Sequence, residues 1–216
     1  LAMTADGTQL LVTHLFNGNV TGIDIRTSAV TGVASMGTDI NLNQFVAIGP
    51  LGKKAYLPQT RLNTGNTALL FDSTVFPVVN VLDLAEFKLL VRERITLDTA
   101  DEPVNMPFSV AITPDGSVVF VANAGSDDVS VIDQGTDRRI AHITVGANPR
   151  GIAITPDGSR VFVINVLNGT LSIIDTTLLT VSHTIDLTEI ALSEDLIQGK
   201  KIFNSAGELV LTNDNW

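Results

Sequence analysis

Residues 107–123 and 149–165 align without a gap at an offset of 42 residues. Each holds an apolar stretch, the turn sequence Thr-Pro-Asp-Gly-Ser, and a second apolar stretch that ends in Asn. Residues 1–14 are a third copy. In all three, the Asp of an Asp-Gly turn (Asp6, Asp115, Asp157) stands 18 residues before the Asp of an Ile-Asp pair (Asp24, Asp133, Asp175). A fourth copy is degenerate: residues 46–52 replace the Asp-Gly turn, Ala55 to Leu57 the second strand and Val79 to Asp83 the third, with 32 residues from Leu51 to Asp83. That blade therefore carries 14 extra residues. One short repeat cannot bury its apolar faces alone and must stack on its neighbours. A period of about 40 to 50 residues made of short strands is the pattern of propeller blades. The fold class expected is all-β, a β-propeller of four-stranded antiparallel blades, four of which are present.

The last blade shows the internal pattern. Residues 151–155, 160–164, 170–174 and 180–185 are rich in β-branched residues, and turn chemistry separates them. Pro-Asp-Gly suits a tight turn because Pro presets φ and Gly accepts positive φ. Asn17-Gly18 and Asn168-Gly169 favour a hairpin between strands two and three. A sandwich rarely repeats its sequence at fixed period. Antiparallel order places the loops from strand two to three, and from strand four to the next blade, on one face. The insertion from Arg61 to Pro77 and the acidic residues 97–103 both fall there, and loops on a rigid scaffold are where binding residues reside.

Composition narrows the function. A formal net charge of −10 disfavours nucleic acid, whose phosphates demand clustered Lys and Arg, and equally an anionic membrane surface. The mean hydropathy of +0.31 reflects Val, Ile and Leu in short runs, none approaching a membrane span. With no Cys, the chain has no disulfide, no thiolate metal ligand and no covalent haem attachment of its own, so no cofactor is expected within it. Leu1 starts inside a strand, and the chain is expected to be part of a longer one.

Residues 148–165, followed by Ser172 to Asp175, resemble the YVTN family of β-propeller repeats. The likeness is strong for 106–187, good for 1–30 and partial for 45–90. Asn123 and Asn165 stand at the family's signature, from which His14 and Gln59 depart. The resemblance implies rings of seven or eight blades, so either further blades or a homodimer of two chains is expected to complete the ring. A second resemblance runs from Gln198 through Trp216. It is to the opening helix of cytochrome c peroxidase-like di-haem domains, where Gly-Lys-x-Leu-Phe precedes the first Cys-x-x-Cys-His. It implies blades over residues 1–187, then a linker and the beginning of a cytochrome c-like domain over 188–216. It also implies a c-type haem downstream, a haem domain or other protein as partner, and a periplasmic or extracellular location.

Candidate binding residues follow from the alignment. His14, Gln59, Asn123 and Asn165 each lie eight residues after the turn position, on the loop-rich face near the expected channel mouth. The bland reading of His14 is a structural substitute for the Asn of its siblings. Arg61 opens the insertion and Arg150 enters an innermost strand. Either can meet a carboxylate or haem propionate in a planar, two-pronged contact, or simply pair with a neighbouring acid. His142 and His183 fall on outermost strands and read as solvent-facing or locally hydrogen-bonded. Asp98, Asp101 and Glu102 could offer oxygens to calcium but fit no loop pattern. Asp24, Asp83, Asp133 and Asp175 recur once per blade, as a turn residue does and an active-site residue does not.

No Gly-x-Ser-x-Gly elbow and no phosphate loop before a helix is present. The reading is therefore a non-catalytic scaffold or docking module of a c-type cytochrome protein, with any haem peroxidase-like chemistry downstream. The alternative is a surface interaction propeller without a redox role. A propeller lactonase ranks third, since it needs a convergent His, Glu or metal cluster.

Overall fold

The structure, a computed structural model, describes residues 1–63, 65, 74–97, 103–136, 138–188 and 192–205. The chain divides into two compact units, Leu1–Leu97 and Asp98–Trp216. Each unit holds two antiparallel sheets. Blade 1 consists of β1 (Ala2–Met3), β2 (Gln9–Thr13), β3 (Val20–Asp24) and β4 (Ala29–Ala34) in sequential order. Blade 2 is built on β5 (Ile40–Asn41), β6 (Ala47–Ile48), β7 (Lys54–Leu62), β8 (Val75–Asp83), β9 (Lys88–Leu89) and β10 (Ile95–Thr96). Blade 3 contains β11 (Pro107–Ile112), β12 (Val118–Asn123), β13 (Asp128–Asp133) and β14 (Arg138–Thr144). Blade 4 contains β15 (Pro149–Ile154), β16 (Arg160–Asn165), β17 (Thr170–Asp175) and β18 (Thr180–Asp186). One helix follows, α1 (Glu194–Asn204). The fold class is the one the period implies: β-propeller blades, meandering strand by strand. No described helix is long and apolar enough to cross a membrane.

The recurring acids work as turn residues. In blade 3 the Thr113 hydroxyl donates to Asp115 Oδ1 at 2.6 Å, while the Ser117 amide and hydroxyl donate to it at 3.0 and 2.8 Å. Thr4, Asp6 and Thr8 repeat the arrangement, as do Thr155, Asp157 and Ser159. These donors, the Thr hydroxyl foremost, hold the Asp115 and Asp157 carboxyls down at about 2. Glycine follows each because the chain there is left-handed, with φ of 68°, 76° and 73° at Gly7, Gly116 and Gly158. Asp24 and Asp133 each cap the next turn by accepting from the amide and hydroxyl of Thr27 and Thr136.

Packing follows the pleat. In unit 1, one side of blade 1 (Leu11, Val20, Ala34) meets Val46, Ala55, Leu57 and Leu82 of blade 2 in a buried core. In unit 2, Phe120, Val129, Val131 and Ile143 of blade 3 meet Val161, Val163 and Ile174 of blade 4. Alternate residues of one strand thus serve opposite sides of its blade.

Blade 2 departs from the sequence expectation of a long loop between Arg61 and Pro77. The β7–β8 ladder instead continues through Arg61↔Phe76 to Leu62↔Val75, because Thr60, Val75 and Phe76 are good strand formers. Each edge of this longer hairpin is then covered by two short pieces, β5 and β6 on β7, β9 and β10 on β8. The 3-10 turn Val91–Glu93 separates the latter two. The tip of the insertion, 64 and 66–73, and the acidic residues Asp98, Asp101 and Glu102 lie outside the described residues.

Candidate functional site

The four aligned residues, three at or just past the end of strand two and Gln59 within the elongated β7, share one interaction. Each reaches diagonally to the third strand, two positions beyond its directly paired neighbour, where same-face side chains meet. His14 Nε2 lies 2.7 Å from the Thr21 hydroxyl. Asn80 Nδ2 donates to Gln59 Oε1 at 2.6 Å. Asn123 Nδ2 donates to Ser130 Oγ at 2.8 Å and to Asp128 Oδ1 at 2.5 Å. Asn165 Nδ2 donates to Ser172 Oγ at 2.9 Å and to Thr170 Oγ1 at 3.0 Å. Thr21, Asn80, Ser130 and Ser172 are themselves equivalent, each three residues before its blade's Ile-Asp or Leu-Asp acid. Gln59 also donates to the Gly18 carbonyl at 3.0 Å, tying blade 2 to blade 1. Gln59, Asn123 and Asn165 are 0% exposed, and His14 is half-buried. This placement makes the set cross-strand ties, and burial keeps three of its four members from direct contact with a ligand.

Blade 3 adds a buried acid and histidine to its tie. The Asp128 and His142 side chains are 9% and 8% exposed, with Nδ1 3.8 Å from Oδ2. A bulge between Val131 and Ile132 sets His142 opposite Ser130. Of its two expected settings, solvent-facing or locally hydrogen-bonded, His142 does not take the first: its side chain is enclosed beside Asp128. His183, on the outer strand of blade 4, is exposed.

The two arginines have separate settings. Arg150 lies over the Phe108 ring, 5.0 Å from its centroid, and donates from Nε to Asn148 Oδ1 at 2.6 Å. Asn148 in turn donates to the Ala124 carbonyl and, through its amide, to Asp127, linking blades 4 and 3. Arg150 is thereby part of a packed corner. Arg61 lies at a cleft of about 430 Å³ lined by Asp39, Arg61, Leu62, Asn63 and Phe76. Its Nε donates to Asp39 Oδ2 at 2.8 Å, and its guanidinium lies 5.7 Å from the Phe76 centroid. The two charged side chains remain 37% and 36% exposed.

A third arginine completes this group and has no counterpart in the repeat. Arg94 donates from Nε to Asn80 Oδ1 at 2.6 Å and from Nη2 to the Met36 carbonyl at 3.3 Å. Burial, then the nearby charge of Arg61, pushes its pKa below the ordinary arginine value, with Asp39 opposing. Burial pushes the Asp39 carboxyl up, but the hydrogen bond and charge of Arg61, with the charge of Arg94, outweigh it and hold the acid below its usual range. Two guanidiniums thus face one carboxylate. The Arg61 guanidinium, half-exposed at the cleft beside the Phe76 ring, has the planar geometry that suits a carboxylate. Among the described residues no group of three or more His, Asp or Glu could hold a metal ion.

Comparison with known proteins agrees with the blades. The family model described as YNCE-like beta-propeller matches residues 100–200. No curated protein matches. Among solved structures, hydrazine synthase from Kuenenia stuttgartiensis superposes with a TM-score of 0.72 at 18% identity over 81% of this chain. The chain spans 57% of that structure's chain. As 1061 solved chains match, the likeness identifies a widely used fold and not an activity.

Proposed function

We propose that this β-propeller is a non-catalytic scaffold that docks a c-type haem domain or cytochrome, in a periplasmic or secreted protein. The observation that carries the proposal is the segment after the last blade. Residues Gly199 to Phe203, the Gly-Lys-Lys-Ile-Phe run that resembles the start of a di-haem domain, lie in the second half of helix α1. Leu196 and Phe203 of this helix, with Leu192 just before it, line a shallow apolar groove, and Phe203 is 87% exposed. Such a stripe suits a helix whose partner lies further along the polypeptide. The Arg61 cleft supplies the complementary polar contact, a site for a carboxylate such as a haem propionate.

The residues available for chemistry support a scaffold role. Asn123, Asn165 and Gln59 are engaged in structural hydrogen bonds inside blades, and the acids of the turns are held by their own Thr and Ser neighbours. A surface propeller without redox function is the second reading. The Arg61 cleft favours it equally, since any carboxylate-bearing partner fits there.

The reading frame beyond Trp216 separates the two. A Cys-x-x-Cys-His within a few dozen residues is expected, together with a Soret band in the expressed longer chain. A frame that lacks the motif removes the cytochrome reading and leaves the surface propeller.

A further inference from the structure

Arg61 and Arg94 both act on Asp39, yet they differ in how much of each guanidinium is engaged. Arg94 donates from Nε to Asn80 Oδ1 and from Nη2 to the Met36 carbonyl. Among the described residues, Arg61 donates only through Nε, to Asp39 Oδ2, and none accepts from its two terminal nitrogens. The end of its fork, where two parallel N–H groups can meet two oxygens at once, is therefore open. It is also oriented. Asp39 fixes the Nε side, and the Phe76 ring stands 5.7 Å from Cζ.

Blade 2 builds this arrangement through its own irregularity. Arg61 lies two residues past Gln59, in the part of β7 that runs beyond the length of its counterparts in the other blades. That extension pairs Arg61 directly with Phe76 of β8, so the two side chains share one face of the sheet. On the other edge, the pairing of Arg61 with Ile40 of β5 brings Asp39 alongside. The resulting cleft lies wholly within unit 1, and its volume of about 430 Å³ is in the range of small-molecule sites.

The cleft restricts what can enter. A guanidinium only donates, so the ligand must bring acceptors, and a carboxylate matches the fork. Asp39 sits on the same guanidinium, and a second negative charge on the ligand would be set against it. The Phe76 ring and the half-buried Leu62 give the rest of the ligand an apolar wall, on which a ring can stack. We propose that this cleft is a small-molecule site for an aromatic monocarboxylate, held by the terminal nitrogens of Arg61 with its ring against Phe76 and Leu62. The inference rests on the reading of the cleft as a carboxylate site and names the ligand class, but it does not require a haem domain.

Titration of the full chain with benzoate, followed by ligand-detected NMR and calorimetry, tests it. Saturable binding at about millimolar concentration is expected. Acetate, which lacks the ring, and inorganic phosphate, which carries more charge at neutral pH, should bind at least several-fold more weakly. Benzamide, which sets an NH2 against the fork, should not bind measurably. Arg61→Ala should abolish benzoate binding with an unchanged far-UV circular dichroism spectrum. Asp39→Asn keeps an acceptor for Nε but removes the competing charge, and should tighten benzoate several-fold, an effect that a merely structural Asp39 does not produce. Benzoate binding that is absent from the wild-type chain, equal in folded Arg61→Ala, matched by phosphate, or not improved by Asp39→Asn overturns the proposal. Cytochrome binding that depends on Arg61 while benzoate fails to bind overturns this inference and leaves the docking reading standing. Benzoate binding beside cytochrome binding indifferent to Arg61 does the reverse.

Discussion

Replacing Arg94 by alanine should cost the fold far more than replacing Arg61, although the two lie in one charge group. Arg94 donates to Asn80 Oδ1, and Asn80 is 0% exposed and bonded to Gln59, which is 0% exposed as well. Arg94→Ala removes a hydrogen bond from a charged donor, worth about 1.5–3 kcal/mol, and strands a buried acceptor that costs about 1–3 kcal/mol to leave unpaired. The two overlap, so the expected loss is about 2–4 kcal/mol. For a unit of this size that lowers Tm by roughly 10 °C or more. Arg61→Ala removes an ion pair more than a third exposed on both sides, worth about 0.2–1 kcal/mol, and an exposed contact to Phe76 of about 0.5–1 kcal/mol. Relief of its repulsion with Arg94 offsets part of this, leaving a loss near 1 kcal/mol. Urea unfolding followed by circular dichroism measures both, and Arg94→Lys should fall between them because it keeps the charge but not the fork. Equal losses within about 0.5 kcal/mol, inside the range ordinary for surface substitutions, would refute the division into a structural and a ligand-facing arginine.

Three further outcomes follow from the blades. Asp115 and Asp157 sit at about 2 against an ordinary 3.8. Their contribution is complete above 3.8 and lost as pH falls toward about 2, so the urea midpoint should drop through that window, and less steeply in D115N/D157N. Phe120→Ala should cost about 3–5 kcal/mol at its fully buried position. Its half-buried counterpart Phe162→Ala should cost roughly half of that or less, since less area leaves water. A Cβ added at Gly146 would stand 2.7 Å from Asn165 Cγ. Gly146→Ala should therefore push Asn165 off Ser172 and cost about 1–3 kcal/mol by thermal unfolding.

The blades were legible because stacking forces the same residue types to the same place in each copy. An 18-residue spacing between two turn acids fixes strand lengths, and Asp115 or Asp133 announces its turn by type. What escaped the sequence has no such recurrence. Leu42, Met106 and Asn148, each nine residues before its turn position, adopt left-handed φ near 55° although none is glycine. Nothing in a Leu or Met signals that conformation. Ties such as Asn123 to Ser130 could have been inferred from the alignment, since partner positions covary in type: Gln with Asn, Asn with Ser, His with Thr. The group of Asp39, Arg61 and Arg94 could not. It belongs to the degenerate blade, where an elongated hairpin and a 3-10 turn bring together residues that no period relates.

Binding to a c-type cytochrome tests the proposed role most directly. The purified chain should be colourless, and it should bind the cytochrome in a calorimetric titration, with affinity falling tenfold or more for Arg61→Ala while Gly146→Ala, though less stable, binds as the wild type does. A Soret band in the chain itself, or binding indifferent to Arg61, would contradict the account.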